Sequence, residues 1–328
     1  MGDSKRSVVE HTVWVAHMTL SRASSRPSAL ESKSGPCAES TTSVESHFGL
    51  CVRLPPGWEM LRCLRGGYFG ELYVVRSEQQ RTCRVVKQIE VEGAKRKLSQ
   101  YGSTLSPRQE YKIQRACDHP GVVSCHEMIQ TEKFLGLVFE FLEGGDVKEK
   151  LLAHGAFSAA GGFAFGLQIL RALQYLHSNE IAHRDVKLEN IFCDRTDCEP
   201  SLFKLGDFGL AKDARSHSGC RTYCGTLDYM APEVARVRGA ADHREYGQQS
   251  DVWSFGVCLY MLLLCAHPYS DDPLYQQVCM GRIEIATALP AFAHVLLRRL
   301  LVADHTVRLR AGALRLESPM DFGAMLPS

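Results

Sequence analysis

Four polar side chains in two short stretches constrain this chain more than any other feature. His183-Arg184-Asp185-x-Lys187-x-x-Asn190 puts a carboxylate, an ammonium and an amide within eight residues. Asp207-Phe208-Gly209 follows, with Asp207 22 residues after Asp185. Phosphoryl transfer needs this set. One carboxylate receives a hydroxyl proton, an amide and a second carboxylate hold magnesium, and a lysine offsets phosphate charge.

The chain has 328 residues, 45% hydrophobic and 23% charged. That suffices for two packed lobes with a modest extension. A net charge of +1 gives no broad field for nucleic acid or a membrane surface. The 13 cysteines are scattered without a CxxC pair, and no secretory signal precedes them. Reduced thiols in the cytoplasm or nucleus are therefore expected. Cys220 and Cys224 lie close together but lack further ligands at zinc spacing. Val8–Leu20 and Val257–Ala266 are apolar in part but fall short of the ~20 residues of a membrane helix. Arg6 stands where a myristoylation signal wants Ser or Thr, so no lipid anchor is expected either.

Residues 1–50 hold 15 Ser or Thr and no sustained period, which reads as a disordered tail extending to residue 56. Strand signals come next. Glu71–Arg76 and Cys83–Glu90 read as a hairpin, and Phe134–Phe141 as a further strand. Pro107–Cys117 reads as a helix with proline near its start. Beyond residue 146 helices dominate. Phe163, Leu167, Leu170, Leu173 and Leu176 recur at helical spacing, with Ser158 as a candidate cap. Gly161, Gly162 and Gly166 count against that helix, at about 1 kcal/mol each in a helix interior. Val252–Cys265 is apolar nearly all round, hence a central buried helix. The fold class is therefore α+β and bilobal. Its small β-rich lobe covers about 57–142, its larger α-rich lobe about 143–322, and residues 323–328 form a short C-terminal tail.

Over residues 57–322 these motifs resemble the eukaryotic serine/threonine protein kinases, and the resemblance implies their fold and an ATP- and Mg²⁺-dependent transfer to protein hydroxyls. Asp185 matches the catalytic base, Lys187 the γ-phosphate neutraliser, and Asn190 and Asp207 the magnesium ligands. Leu64, Gly66, Gly67, Gly70 and Leu72 resemble a glycine-rich phosphate loop, with Arg65 in place of the first glycine and Gly70 17 residues before Lys87. Lys87 resembles the lysine that contacts the α and β phosphates, and Glu110 its helix partner. Phe139-Glu140-Phe141-Leu142 resembles the hinge, where the backbone of Glu140 and Leu142 binds adenine, and Asp146 stands at a ribose-contacting position. Gly225-Thr226-x-x-Tyr229 and Lys187 favour serine/threonine over tyrosine. Ala231-Pro232-Glu233 matches a motif whose glutamate pairs with a late arginine, here Arg308. Asp251-Val252-Trp253 matches the segment that holds the catalytic loop.

The resemblance also implies partners. Protein substrates with arginine three residues before the target are expected, because Asp146 and Glu189 occupy acidic positions of basophilic relatives. Thr222, four residues before Thr226, is the candidate for an activating phosphate that pairs with Arg184 and is placed by another kinase, and a regulatory protein is a further expected partner. Gln114 and Cys125 fall where the family places apolar residues of an inter-lobe stack. The rival reading is a pseudokinase that binds partners without catalysis. The joint presence of Lys87, Glu110, Asp185, Asn190 and Asp207 speaks against it.

Overall fold

Short β-branched runs and long apolar helices divide the chain into two compact units. The computed structural model describes residues 54, 57–67, 70–77, 81–92, 106–195, 201–213, 225–237, 247–269, 274–281 and 283–313. The tails expected at 1–56 and 323–328 thus fall almost wholly outside the described residues. One unit holds the described residues up to Ala116 together with Ser124–Phe141, and the other holds Cys117–Val123 and those from Leu142 onward.

The first unit is built on an antiparallel sheet. Its strands are β1 (Trp58–Gly67), β2 (Gly70–Ser77), β3 (Cys83–Glu90), β4 (Cys125–Gln130) and β5 (Phe134–Glu140), in the order β1-β2-β3-β5-β4. The hairpin read from the sequence is β2–β3, with Glu71 opposite Gln88 and Leu72 opposite Lys87. Alternation along β2 sends Tyr73 and Val75 to one face, where they pack with Val86 and Val138 under Leu54, Trp58, Met60 and Ile129.

Helix α1 spans Pro107–Arg115, two residues shorter at its end than the sequence suggested. Pro107 fits the first turn because its missing N–H has no intrahelical partner there. Ala116 N–H bonds back to Ile113 O, tightening the last turn. The buried side of α1 is Glu110, Ile113 and Gln114, spaced i, i+3, i+4.

The second unit is mostly helical. Its elements are β6 (Gly145–Asp146), α2 (Val147–His154), α3 (Ala159–Ser178), β7 (Ile181–Ala182), β8 (Ile191–Cys193), β9 (Phe203–Leu205), β10 (Lys212–Asp213), α4 (Pro232–Val237), α5 (Gln249–Leu264), α6 (Leu274–Met280) and α7 (Ala291–Leu300). Two small sheets, β6-β8-β9 and β7-β10, carry its loops. Helix α3 forms despite its glycines. Ser158 Oγ caps it by accepting from Gly161 N–H at 3.1 Å. A Cβ on Gly162 would lie 2.4 Å from a methyl of Leu263 on α5, so the glycine permits close helix packing. The buried stripe is Phe165, Ile169, Leu170, Ala172, Leu173 and Leu176, while Phe163 and Leu167 sit at its margin. Phe165 stacks on Phe255 of α5 at 6.2 Å between centroids and meets Phe203 edge-on at 5.3 Å. Helix α5 is buried on all sides, as its uniform apolarity predicts. No helix among the described residues is long and apolar enough to cross a membrane.

Gly70 begins β2 against the backbone of β3. A Cβ there would lie 2.2 Å from Gln88 O, whereas a Cβ on Gly57 would meet nothing within 4 Å. Gly70→Ala should destabilise the chain by about 3 kcal/mol, the upper end for overpacking because backbone cannot step aside. Gly57→Ala should cost only the left-handed penalty of about 1 kcal/mol. Urea unfolding of the two variants separates these outcomes, and equal losses would mean that β2 shifts to make room.

Candidate active site

The Asp251 carboxylate shapes the loop that carries Asp185. It sits in the first turn of α5 at 1% exposure. Its Oδ1 accepts from Arg184 N–H at 2.7 Å, and its Oδ2 accepts from His183 N–H and from His177 Nε2, both at 2.9 Å. Burial alone would raise its pKa. The His177 hydrogen bond, the His177 and His183 rings and the Arg184 amide outweigh burial and hold it below the ordinary 3.8. With two successive amides aimed at one carboxylate, the chain turns sharply, and Arg184 takes φ +70°, a region few non-glycine residues adopt. His183 Nδ1 accepts from Asp185 N–H at 3.3 Å. Its proton therefore sits on Nε2, which donates to Gly206 O at 3.0 Å. The ring meets Phe208 edge-on at 4.8 Å.

Asp185 follows from this turn with its carboxylate held on several sides. Lys187 Nζ lies 2.7 Å from Oδ2, and Asn190 Nδ2 donates to Oδ2 at 3.0 Å and to the Asp185 carbonyl at 2.9 Å. Thr226 Oγ1 donates to Oδ1 at 3.2 Å and accepts from Lys187 Nζ at 3.0 Å. The structure thus brings Asp185, Lys187 and Asn190 together and adds Thr226. Asn190 spends its amide N–H on Asp185, which leaves its side-chain oxygen for another partner. Asp207 is exposed at φ +58°, just before the turn Phe208–Leu210.

In the sheet unit, Lys87 on β3 meets Glu110 on α1, with Nζ 2.8 and 3.0 Å from the two carboxylate oxygens. Both side chains are nearly buried, at 11% and 4% exposure. The ammonium is fixed in place and the carboxylate compensated, as burial of either requires. Nearby Cys125 is inert, its thiol pushed up to about 12 by burial and then by the charge of Glu110.

Residues 58–315 match the family model of the protein kinase domain. The chain belongs to the protein kinase family. It is 33% identical over 256 residues to serine/threonine-protein kinase SRK2J of Arabidopsis thaliana, covering 75% of this chain and 71% of that protein. It is 30% identical over 272 residues to the ovarian-specific serine/threonine-protein kinase Lok of Drosophila melanogaster, covering 80% of this chain and 56% of that one. With serine/threonine-protein kinase RAD53 of Saccharomyces cerevisiae it shares 36% identity over 183 residues, 53% of this chain and 22% of the relative. The chain therefore spans about half of Lok and less of RAD53.

Other residues singled out from the kinase motifs fall as follows. Leu64 is exposed on β1, Gly66 and Gly67 close that strand, and Gly67 pairs with Gly70 of β2. Leu72 lies on β2. Glu140 N–H donates to Ser124 O at 3.0 Å and its carboxylate accepts from Ser124 N–H. Leu142 O accepts from Gly145 N–H at 3.2 Å. Thr222 lies outside the described residues.

Asp146 does more than the sequence reading assigned it. Its carboxylate caps α2 by accepting from Glu149 N–H at 2.9 Å. The Asp146-x-x-Glu149 spacing is a capping signature that would have revealed this. The ion pair of Lys148 with Glu189 was also missed, as was His177, and no local pattern marks either. Further along, Glu233 and Arg308 form two hydrogen bonds of 2.7 and 2.8 Å, and Arg308 also lies over Trp253 at 5.0 Å from the ring centroid.

Asp251→Ala removes the acceptor of two buried amides. It should lower stability by roughly 3–5 kcal/mol, as expected for breaking a buried charge network. Because the Asp251 pKa is depressed in the folded state, its contribution is complete above the unfolded value of about 4 and is lost as pH falls through the lower folded value. Urea unfolding at pH 7 and pH 3 checks both points: the gap between wild type and variant should narrow at pH 3, and a constant gap would count against the charge argument.

Proposed function

We propose that this chain is an ATP-dependent protein serine/threonine kinase, with residues 57–322 as its catalytic domain. The observation that carries this reading is the Asp185 carboxylate held by Lys187, Asn190 and Thr226. A threonine hydroxyl bonded to both Asp185 and Lys187 supports a site shaped for an aliphatic acceptor hydroxyl. Asp185 orients that hydroxyl and takes its proton as transfer proceeds. Lys187 lies where it can offset charge on the transferred group.

The donor set fits magnesium and nucleotide. Asp207 offers a carboxylate and Asn190 an amide oxygen, both hard ligands. Among the described residues no group of three or more His, Cys, Asp or Glu is arranged to hold a metal. Two protein oxygens completed by phosphate oxygens and water is the arrangement magnesium favours. When bound, Mg·ATP supplies the γ-phosphoryl group with part of its charge already neutralised. Lys87, oriented by Glu110, would take the phosphates, the Gly66–Gly70 turn would cover them, and Glu140, Leu142 and Asp146 would hold the nucleoside.

Protein substrates follow from the family. The acceptor preference is read as arginine three residues before the hydroxyl, supported by the partly exposed carboxylate of Glu189. Asp146 supports it less, since it caps α2. Unpaired cysteines among the described residues, such as the buried Cys193, fit a reducing compartment, which supports the cytoplasm or nucleus.

Steady-state transfer to a serine peptide tests the assignment. Asp207→Asn and Lys87→Met should abolish turnover while circular dichroism stays that of the folded chain. Thr226→Ala removes two hydrogen bonds to charged groups, with Asp185 and with Lys187; the loss of even one, about 1.5–3 kcal/mol, should lower kcat roughly 10- to 100-fold. Wild-type turnover in Asp207→Asn or Lys87→Met would overturn the role given to that residue. An array without enrichment of arginine at the third position before the acceptor would remove the stated preference.

A further inference from the structure

Beside Asp185 the structure holds an ion pair that the transfer reaction does not use. Glu189 belongs to the turn Leu188–Asn190, and its carboxylate pairs with Lys148 Nζ. Both side chains are partly exposed, at 28% for Lys148 and 21% for Glu189. Tyr229 faces Glu189 from the turn after Thr226, and its hydroxyl is kept protonated by burial and then by the charge of Glu189. Glu189 therefore sits between two elements that both touch Asp185, through Asn190 and through Thr226. Four residues of chain span at most about 14 Å, so Glu189 lies within a few residues' reach of an acceptor hydroxyl at Asp185.

Lys148 is an unexpected choice for its position. Asp146 caps α2, which places Lys148 in the first helical turn. A cation there opposes the helix dipole, so the position gains from having an anion opposite. An arginine entering from a peptide would meet a carboxylate already compensated. It would have to displace Lys148 and exchange one ion pair for another, so its net gain is reduced and the preference stays modest.

We propose that Lys148 is a specificity-determining residue: it occupies Glu189 and thereby holds down the preference of this kinase for basic acceptor peptides. The proposal rests on the kinase reading and deepens it. Discrimination is a difference between two affinities, and an internal cation that shields a recognition charge compresses that difference. Removing the lysine opens the oxygen it holds, Oε1, to an entering guanidinium, while Oε2 is buried.

The test uses the full chain, Mg·ATP and matched serine peptides bearing Arg or Ala at each of the five positions before the acceptor. The readout is the Arg:Ala ratio of kcat/KM. Lys148→Ala and Lys148→Met should each raise this ratio about five- to tenfold at one position, through KM, and the gain should shrink in 0.5 M salt. Adding Glu189→Gln to Lys148→Ala should bring the ratio back to the wild-type value or below. An unchanged ratio in both lysine variants, or a gain that survives Glu189→Gln, overturns the proposal. Absence of transfer by the wild type to any peptide would sink the kinase reading. Fluorescence anisotropy of labelled Arg and Ala peptides, read as the same ratio in Kd, would then decide on Lys148 by itself.

Discussion

The helical unit depends on a single buried carboxylate. Asp251 accepts from the amides of His183 and Arg184 and from the His177 ring, so it joins α5, the end of α3 and the loop leading to Asp185. Its place in the first turn of α5 adds the favourable end of the helix dipole. Without it, two successive amides would be buried unbonded, and nothing would compensate the left-handed turn at Arg184. The strain at Arg184 and the direction of Asp185 are thus two consequences of one set of hydrogen bonds.

The sheet unit makes a different compromise. The inner side of α1 is Glu110, Ile113 and Gln114, so two of its three buried residues are polar. An all-apolar face would hold the helix to the sheet more strongly, since a buried ion pair often contributes little net stability. What Lys87 and Glu110 provide is position. The ammonium is held at two short contacts in a place it would not occupy by packing alone.

Legibility in the sequence followed the range over which each feature is determined. Asp185, Lys187 and Asn190 lie within one turn of loop, and their residue types alone announce their chemistry. Lys87 and Glu110 are 23 residues apart, and only resemblance to a family joins them. Gly162 was weighed as a helix breaker because propensity is local, while its reason, contact with Leu263, is tertiary. Asp146 carried a local capping pattern that was passed over for a ribose contact. Lys148 and Glu189 are 41 residues apart, and neither position hints at the other. A lysine in a first helical turn reads as an ordinary exposed charge until the fold places an anion against it.

The geometry at Asp185 also limits how it can act. A carboxylate has about four acceptor positions, two on each oxygen. Among the described residues, Oδ2 is engaged by Lys187 and Asn190, whereas Oδ1 receives Thr226 alone. If Asp185 acts as proposed, an acceptor hydroxyl would meet it on Oδ1, next to Thr226. Under the proposed reading this carboxylate serves to direct a hydroxyl rather than to strip its proton before transfer begins. That suits phosphoryl transfer, in which the entering hydroxyl is only weakly bonded in the transition state and needs direction more than early deprotonation. Thr226 spends its one proton on Oδ1 and accepts from Lys187, so it cannot rotate without breaking both bonds. The remaining lobe of Oδ1 is consequently fixed in direction, and in the proposed reaction an acceptor hydroxyl would inherit that direction from a threonine outside the motif that first marked the site.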